Sequence, residues 1–301
     1  MSRTASEIAT QPQCWRTAAE LAADPETLAA LPPAGAAVAV VGCGTSLFMA
    51  RAYAALREGT GRGRTDAFPA SEYPAARVYP FVLALCRSGT TTEVVQLLER
   101  LPVGTESLVI TAVAGTPAPE ASKRAIVLSF ADEESVVQTR FATTTLALLR
   151  AALGENVARA ADDAERALAG PLPLDPSGVD QVSFLGEGWT FGLAEEAALK
   201  LREAAQFWAE SYLAMEYRHG PISIAAPGRA VWPFSALPAG LAAQIGATGA
   251  MLVDTGDLDP MAALVLAQRF AVDTAAARGL DPDRPRALTR SVILSDREET
   301  P

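Results

Sequence analysis

The sequence predicts an α/β chain made of two copies of one doubly wound unit. Three observations carry this reading. The chain has 301 residues, which at about 100–200 residues per domain leaves room for two units. Short apolar runs, stopped by small residues and each followed by a helical pattern, recur along it; this is how buried parallel strands in βαβ units read. Finally, Val40-Val41-Gly42-Cys43-Gly44 is echoed by Phe184-Leu185-Gly186-Glu187-Gly188 at an offset of 144 residues, the self-similarity of a duplication.

The elements follow in order. The first residues read as a short helical segment. Ala37–Val41 is an apolar run that ends in Gly42-Cys43-Gly44-Thr45-Ser46, and a helical pattern continues to about Arg57. Phe81–Leu85 is a second run, ending in Cys86-Arg87-Ser88-Gly89-Thr90-Thr91, with a helix to about Arg100. Ser107–Val113 and Ala125–Phe130 read as strands, Glu134–Leu153 as one long helix and Val157–Ala169 as another. Gly170–Gly178 carries three prolines and reads as a linker. The pattern then restarts with a strand at Gln181–Leu185, a turn at Gly186-Glu187-Gly188 and a helix at Thr190–Phe207. Arg229–Phe234 and Gly249–Val253 read as strands with a helix between them, and Pro260–Ala277 as a last helix. The units are therefore placed at 1–170, with a leading helix, and 171–301, with a C-terminal tail.

Composition removes several function classes. Lys and Arg number 25 against 35 Asp and Glu, a net charge of −10 without a basic run, so nucleic acid is not expected as a partner. A zinc site built from several histidines is impossible, because His219 is the one histidine. Cys14, Cys43 and Cys86 lie far apart and form no zinc ribbon or disulfide framework. Neither a signal peptide nor a run of about 18 apolar residues is present, so the expectation is a soluble cytoplasmic protein with no membrane partner.

Two kinds of segment could carry chemistry. In open parallel sheets, ligands sit beyond the carboxyl ends of the strands. Gly42–Ser46 and Cys86–Thr91 hold that position, each a small-residue turn opening a helix. Their backbone N–H groups, with the hydroxyls of Thr45, Ser46, Ser88, Thr90 and Thr91, form a cradle of neutral donors suited to phosphate. The same residues could instead merely cap helices, and Thr90-x-x-Glu93 fits a capping box. No Gly-Lys-Ser/Thr follows, and the third glycine of a dinucleotide fingerprint is missing at Leu47. The second segment is Glu196, Lys200 and Glu203, spaced i, i+4, i+7 and so on one helix face. With His219 they would suit proton transfer; the alternative is a solvated face of ion pairs. Lys200 and Lys123 are the only lysines in a chain whose other cations are arginines.

At these residues the chain resembles the tandem sugar isomerase (SIS) domain proteins, such as the isomerase half of glucosamine-6-phosphate synthase and the SIS-type amino-sugar phosphate deaminases. The matching segments are Gly42–Ser46, Ser88–Thr91, Glu133–Arg140, Glu196–Glu203 with Glu210 and His219-Gly220-Pro221, and Asp281–Val292. The resemblance implies two tandem three-layer αβα units, flavodoxin-like, and a homodimer. It implies a sugar-phosphate ligand held by Cys43, Gly44, Thr45, Ser46, Ser88 and Thr91, with Gln138 near the sugar. Glu203 would move the proton between C1 and C2, Lys200 would assist transfer between the oxygens, and Glu196 would orient Lys200. His219, reaching in from the partner subunit, would open the sugar ring. Such chemistry needs no metal or cofactor.

Three departures from the synthase set the functional expectation. The chain opens without a glutaminase segment, so glutamine-dependent synthesis is not expected. Arg290 stands where the synthase has its Schiff-base lysine, and a guanidinium that stays protonated cannot form that bond. Cys86 and Arg87 replace a serine and a glutamine. Such a site can still act on a sugar that already carries nitrogen. The expectation is therefore a phosphosugar isomerase of the glucosamine-6-phosphate deaminase type. Fructosamine-phosphate deglycation, simple aldose–ketose isomerisation and non-catalytic sugar-phosphate sensing are the alternatives.

Overall fold

Largely apolar runs such as Val38–Gly42, Phe81–Leu85 and Gln181–Gly186 are buried along their whole length, which a strand reaches only when both faces of its sheet are covered. The computed structural model describes residues 2–294; Met1 and residues 295–301, the end of the second predicted unit, lie outside them. Helices α1 (Arg3–Ala9), α2 (Gln11–Leu21) and α3 (Pro25–Ala30) lead into strand β1 (Val38–Gly42), helix α4 (Thr45–Gly59), strands β2 (Thr65–Pro69) and β3 (Phe81–Leu85), helix α5 (Thr92–Glu99) and strand β4 (Glu106–Thr111). Helix α6 (Pro117–Ala121), strand β5 (Arg124–Val127) and helices α7 (Arg140–Ala152) and α8 (Val157–Ala169) follow. The second half holds β6 (Gln181–Gly186), α9 (Thr190–Ala205), β7 (Trp208–Leu213), β8 (Arg229–Pro233), α10 (Leu241–Ala247), β9 (Met251–Leu252) and α11 (Pro260–Ala277).

The strands form two parallel sheets, ordered β2-β1-β3-β4-β5 and β7-β6-β8-β9. The second order repeats the first four positions of the first. In both sheets the order reverses beside the opening strand, so crevices form at the carboxyl ends of β1/β3 and β6/β8. One apolar core crosses from sheet to sheet, joining Val38, Val40, Leu83 and Ile110 to Val182, Phe184 and Trp232 through residues of α4, α7, α8, α9 and α11. Smaller clusters fill the outer faces, around Val82, Val94 and Leu98 in the first half and Leu185, Tyr217 and Leu241 in the second. Among the described residues, no helix is long and apolar enough to cross a membrane.

The structure corrects several expected boundaries. The helix expected from Glu134 begins at Arg140. The buried Glu133 carboxylate accepts the N–H groups of Thr139 (2.6 Å) and Arg140 (2.8 Å), so a side chain supplied by an irregular loop takes the helix's first donors. The capping box at Thr90 is not formed. Thr91 is the N-cap residue and makes no side-chain cap bond, while the Thr90 hydroxyl turns to Ser291. Strands β2 and β7 were not anticipated; both lie at sheet edges and mix polar with apolar residues. β9 shrinks to two exposed residues at the opposite edge. The long helix after β6 stops at Ala205 because Gln206 adopts a left-handed conformation (φ 48°) and turns the chain into β7.

Helix α9 lies against α4 at a glycine. A Cβ at Gly192 would overlap the backbone carbonyl oxygen of Phe48 and come within 3.1 Å of Ala52. Gly192→Ala is expected to lower stability by about 1–3 kcal/mol, the range for overpacking, read as a drop in the urea midpoint at constant m-value. An unchanged midpoint would mean that the helices part without cost.

Candidate active site

The turn after β1 comes first. Gly44 sits at φ 54°, ψ −127°, the N-cap position of α4, a conformation that a side chain disfavours. It opens α4 on the buried Thr45 and Ser46, and Thr45 meets α9. There the Lys200 ammonium donates to Thr45 Oγ1 at 3.0 Å and to Glu203 Oε2 at 2.5 Å, with Glu196 Oε1 at 3.4 Å. The i, i+4, i+7 face is therefore an internal charge cluster. The side chains of Glu196 and Lys200 are 0% and 1% exposed, and only Glu203, at 18%, reaches solvent. Glu203 opens onto a cavity of about 390 Å³ lined also by Arg202, Gln206, Phe207, Arg286 and Leu288. The solvated-face alternative is overturned, because a helix packed on α4 and α11 has no free side at these positions.

Two carboxylates share one amine here. Burial opposes the charge on Lys200, but Glu196 and Glu203 outweigh it and hold its pKa above the ordinary lysine value. Burial raises Glu196 to about 7, against the pull of Lys200 and with the neighbouring Glu203 charge adding to the rise. Lys200 is thus held ionised near neutrality, and Glu196 takes up a proton far more readily than an ordinary carboxylate. A carboxyl group with a raised folded-state pKa binds its proton more tightly folded than unfolded, so its stabilising contribution is complete below pH 4.5 and lost as pH climbs to about 7. The stability of the wild type relative to Glu196→Gln is expected to fall across that window, read from urea midpoints at pH 5 and pH 8. A constant difference would refute the assignment.

The second turn, after β3, lies beside the first because β1 and β3 are paired. The hydroxyls of Ser88, Thr90 and Thr91 lie 3.1, 2.9 and 3.4 Å from Ser291 Oγ. Cys86 is buried, with Sγ 3.9 Å from Ser88 Oγ. Cys43 ends the neighbouring strand; burial first, then the Glu93 charge, pushes its thiol up to about 11, so it is neutral. Arg87 turns inward. Its guanidinium donates to the carbonyls of Ser135 (3.1 Å) and Arg290 (2.7 Å) and lies 3.8 Å from Glu133. Gln138 stands in the same loop, and its buried Oε1 has no hydrogen-bond partner among the described residues.

Two expected residues are placed elsewhere. Arg290 reaches this region with its backbone, but its guanidinium pairs with Asp132 at 2.5 Å. His219 ends a 3-10 turn after β7, exposed, and among the described residues no hydrogen bond ties it to Glu203, Lys200 or either turn. Ser291, Glu133 and Arg87 were not singled out as site residues from the sequence. The spacing of Glu133 from Thr139 carries a capping signal only when the loop between them is known. Ser291 lies some 200 residues from its partners, with no local pattern to betray it. A larger cavity, about 710 Å³ and lined by Tyr73, Tyr79, Leu97 and Val103 among others, contains none of these groups.

Comparison with known proteins follows the same outline. No family model matches the chain. It is 29% identical over 267 residues to the isomerizing glutamine–fructose-6-phosphate aminotransferase of Acidithiobacillus ferridurans, a match covering 71% of this chain and 44% of that protein. The enzyme of the same name from Methanothermobacter thermautotrophicus is 26% identical, with 85% and 51% covered. The chain thus spans about half the length of these curated relatives. Among solved structures, the glucosamine-6-phosphate deaminase of Thermotoga maritima superposes with a TM-score of 0.83 at 24% identity, covering 97% of this chain and 100% of that one. Tagatose-6-phosphate ketose/aldose isomerase from Escherichia coli superposes with a TM-score of 0.76 at 20% identity, covering 98% of each. These likenesses establish the fold: parallel sheets flanked by helices.

Proposed function

We propose that the protein is a phosphosugar isomerase that binds a hexose or hexosamine 6-phosphate and couples aldose–ketose isomerisation to deamination of an amino-sugar phosphate. The observation that carries this reading is the contact of Lys200 with both Glu203 and Thr45, which joins a proton-transfer pair to a hydroxyl-lined turn at one strand end. The curated relatives and superposed structures named above, which act on sugar phosphates by name, support it.

In this reading the turns of Gly44–Ser46 and Ser88–Thr91 hold the phosphate, Cys43 packs beneath them, and the unpartnered Oε1 of Gln138 accepts a sugar hydroxyl. Glu203, the one member of the buried cluster open to a cavity, carries the proton between C1 and C2. Lys200 is held ionised at its side and serves the two oxygens. Glu196 fixes the Lys200 amine from behind. The Arg290 guanidinium, paired with Asp132 in this structure, cannot form a covalent bond to substrate, so nitrogen must come with the sugar. Isomerisation of glucosamine 6-phosphate then gives a fructose imine 6-phosphate, and water releases ammonia from it. Among the described residues no hydrogen bond joins His219 to Glu203 of its own chain, and in this reading a second copy supplies it. The same reading takes residues 1–170 and 171–301 as duplicated units and the cytoplasm as the site of action.

The test is a panel of hexose and hexosamine 6-phosphates, each scored by thermal shift and by ammonia release. Stabilisation with ammonia release from an amino-sugar phosphate is expected. Ketose formation without ammonia would leave a simple isomerase, release from a fructosamine phosphate a deglycase, and stabilisation without turnover a sensor.

A further inference from the structure

The chain beyond α11 crosses both halves of the candidate site. Arg286 and Leu288 line the cavity onto which Glu203 opens. Farther on, two clamps hold the tail. One is Arg87, which donates to the Arg290 carbonyl at 2.7 Å. The other is Thr92, whose N–H donates to the Val292 carbonyl at 3.1 Å and whose hydroxyl accepts the Leu294 N–H at 2.9 Å. Between the clamps the Ser291 hydroxyl enters the second turn. Its oxygen accepts from Ser88 at 3.1 Å and from Thr90 at 2.9 Å, with Thr91 Oγ1 at 3.4 Å. Three hydroxyls from one turn thus converge on a single oxygen belonging to the chain itself.

We propose that Ser291 is a built-in competitor for the phosphate cradle: the tail occupies the turn in the free protein, and a phosphoryl group displaces it. The proposal rests on the reading of this turn as the phosphate site. Each hydroxyl has one hydrogen, and those of Ser88 and Thr90 are committed to Ser291, so they cannot serve a phosphate oxygen at the same time. The exchange favours the ligand, because charge-assisted hydrogen bonds to a dianion are stronger than those to a neutral hydroxyl. Little apolar packing resists it, since Val292, Ile293 and Leu294 remain 50%, 69% and 60% exposed. Displacement would also withdraw Leu288 from the Glu203 cavity, so phosphate binding and access to the base are coupled.

Inorganic phosphate is the probe, titrated calorimetrically into the wild type, Ser291→Ala and Ser88→Ala. Ser291→Ala is expected to bind it about three- to tenfold more tightly, the worth of one or two hydrogen bonds no longer competing. Saturating phosphate is expected to speed tryptic cleavage of the wild type after Arg290. If phosphate instead protects that bond, or if Ser291→Ala binds no more tightly while Ser88→Ala has lost binding, the competitor role is overturned and the cradle stands. If Ser88→Ala binds phosphate as the wild type does, the cradle reading itself fails, and the competitor role with it.

Discussion

Glu203→Gln is expected to lower turnover about 10²–10⁴-fold, the usual worth of a positioned general base, with sugar-phosphate binding held within a few-fold. The amide has the shape of the carboxylate and can still accept the Lys200 proton at the 2.5 Å contact, so the cluster keeps its geometry. It cannot remove a proton from carbon. Glu196 cannot substitute, because its side chain is fully buried and does not line the cavity onto which Glu203 opens. The measurement is ammonia and ketose formation from glucosamine 6-phosphate, with thermal shift reporting binding on the same samples. A variant that turns over at the wild-type rate would place the base elsewhere. A wild type that binds but never turns over, with Glu203→Gln giving the same shift, would make the protein a sensor.

His219→Asn is expected to be as damaging on a ring-closed substrate, and it also tests whether the site is shared. His219 is exposed on the 3-10 turn after β7, beside the exposed Leu213 and Met215. If each site takes Glu203 from one subunit and His219 from its partner, an equal mixture of Glu203→Gln and His219→Asn chains, unfolded and refolded together, should recover about a quarter of wild-type activity. Half of the dimers are mixed, and each mixed dimer has one intact site of two. No recovery from two variants that each fold would confine the site to one chain and remove the reason for a partner.

The legible part of the fold was its buried middle. Val38–Gly42, Phe81–Leu85 and Gln181–Gly186 are shielded on both faces, so nearly every residue is apolar and the run stands out; the two buried polar residues, Gln181 and Ser183, bond to each other. β2 and β7 were missed because an edge strand is covered on one side only, and Thr65–Pro69 and Trp208–Leu213 carry the mixed character of that position. The charged helix was legible in its spacing but not in its surroundings. Nothing in the sequence near Glu196 or Lys200 says that α4 and α11 close over it. The stretch from Glu134 to Thr139 read as helix because its composition permits one; the buried Glu133 carboxylate, holding the N–H groups of Thr139 and Arg140, decided otherwise.

The sequence by itself determined the buried strands and the long helices that follow them, the glycine-rich turns at the strand ends, and the alignment of Glu196, Lys200 and Glu203 on one face. Each depends on residues within a few positions of one another, where backbone sterics and helical period govern. Only the tertiary structure decided that Lys200 meets Thr45 from the other half of the chain, that Arg290 spends its charge on Asp132, and that Ser291 sits among the hydroxyls of the second turn. Those contacts join residues more than 150 positions apart. What sets them is the closure of two sheets around one core, which no local pattern encodes.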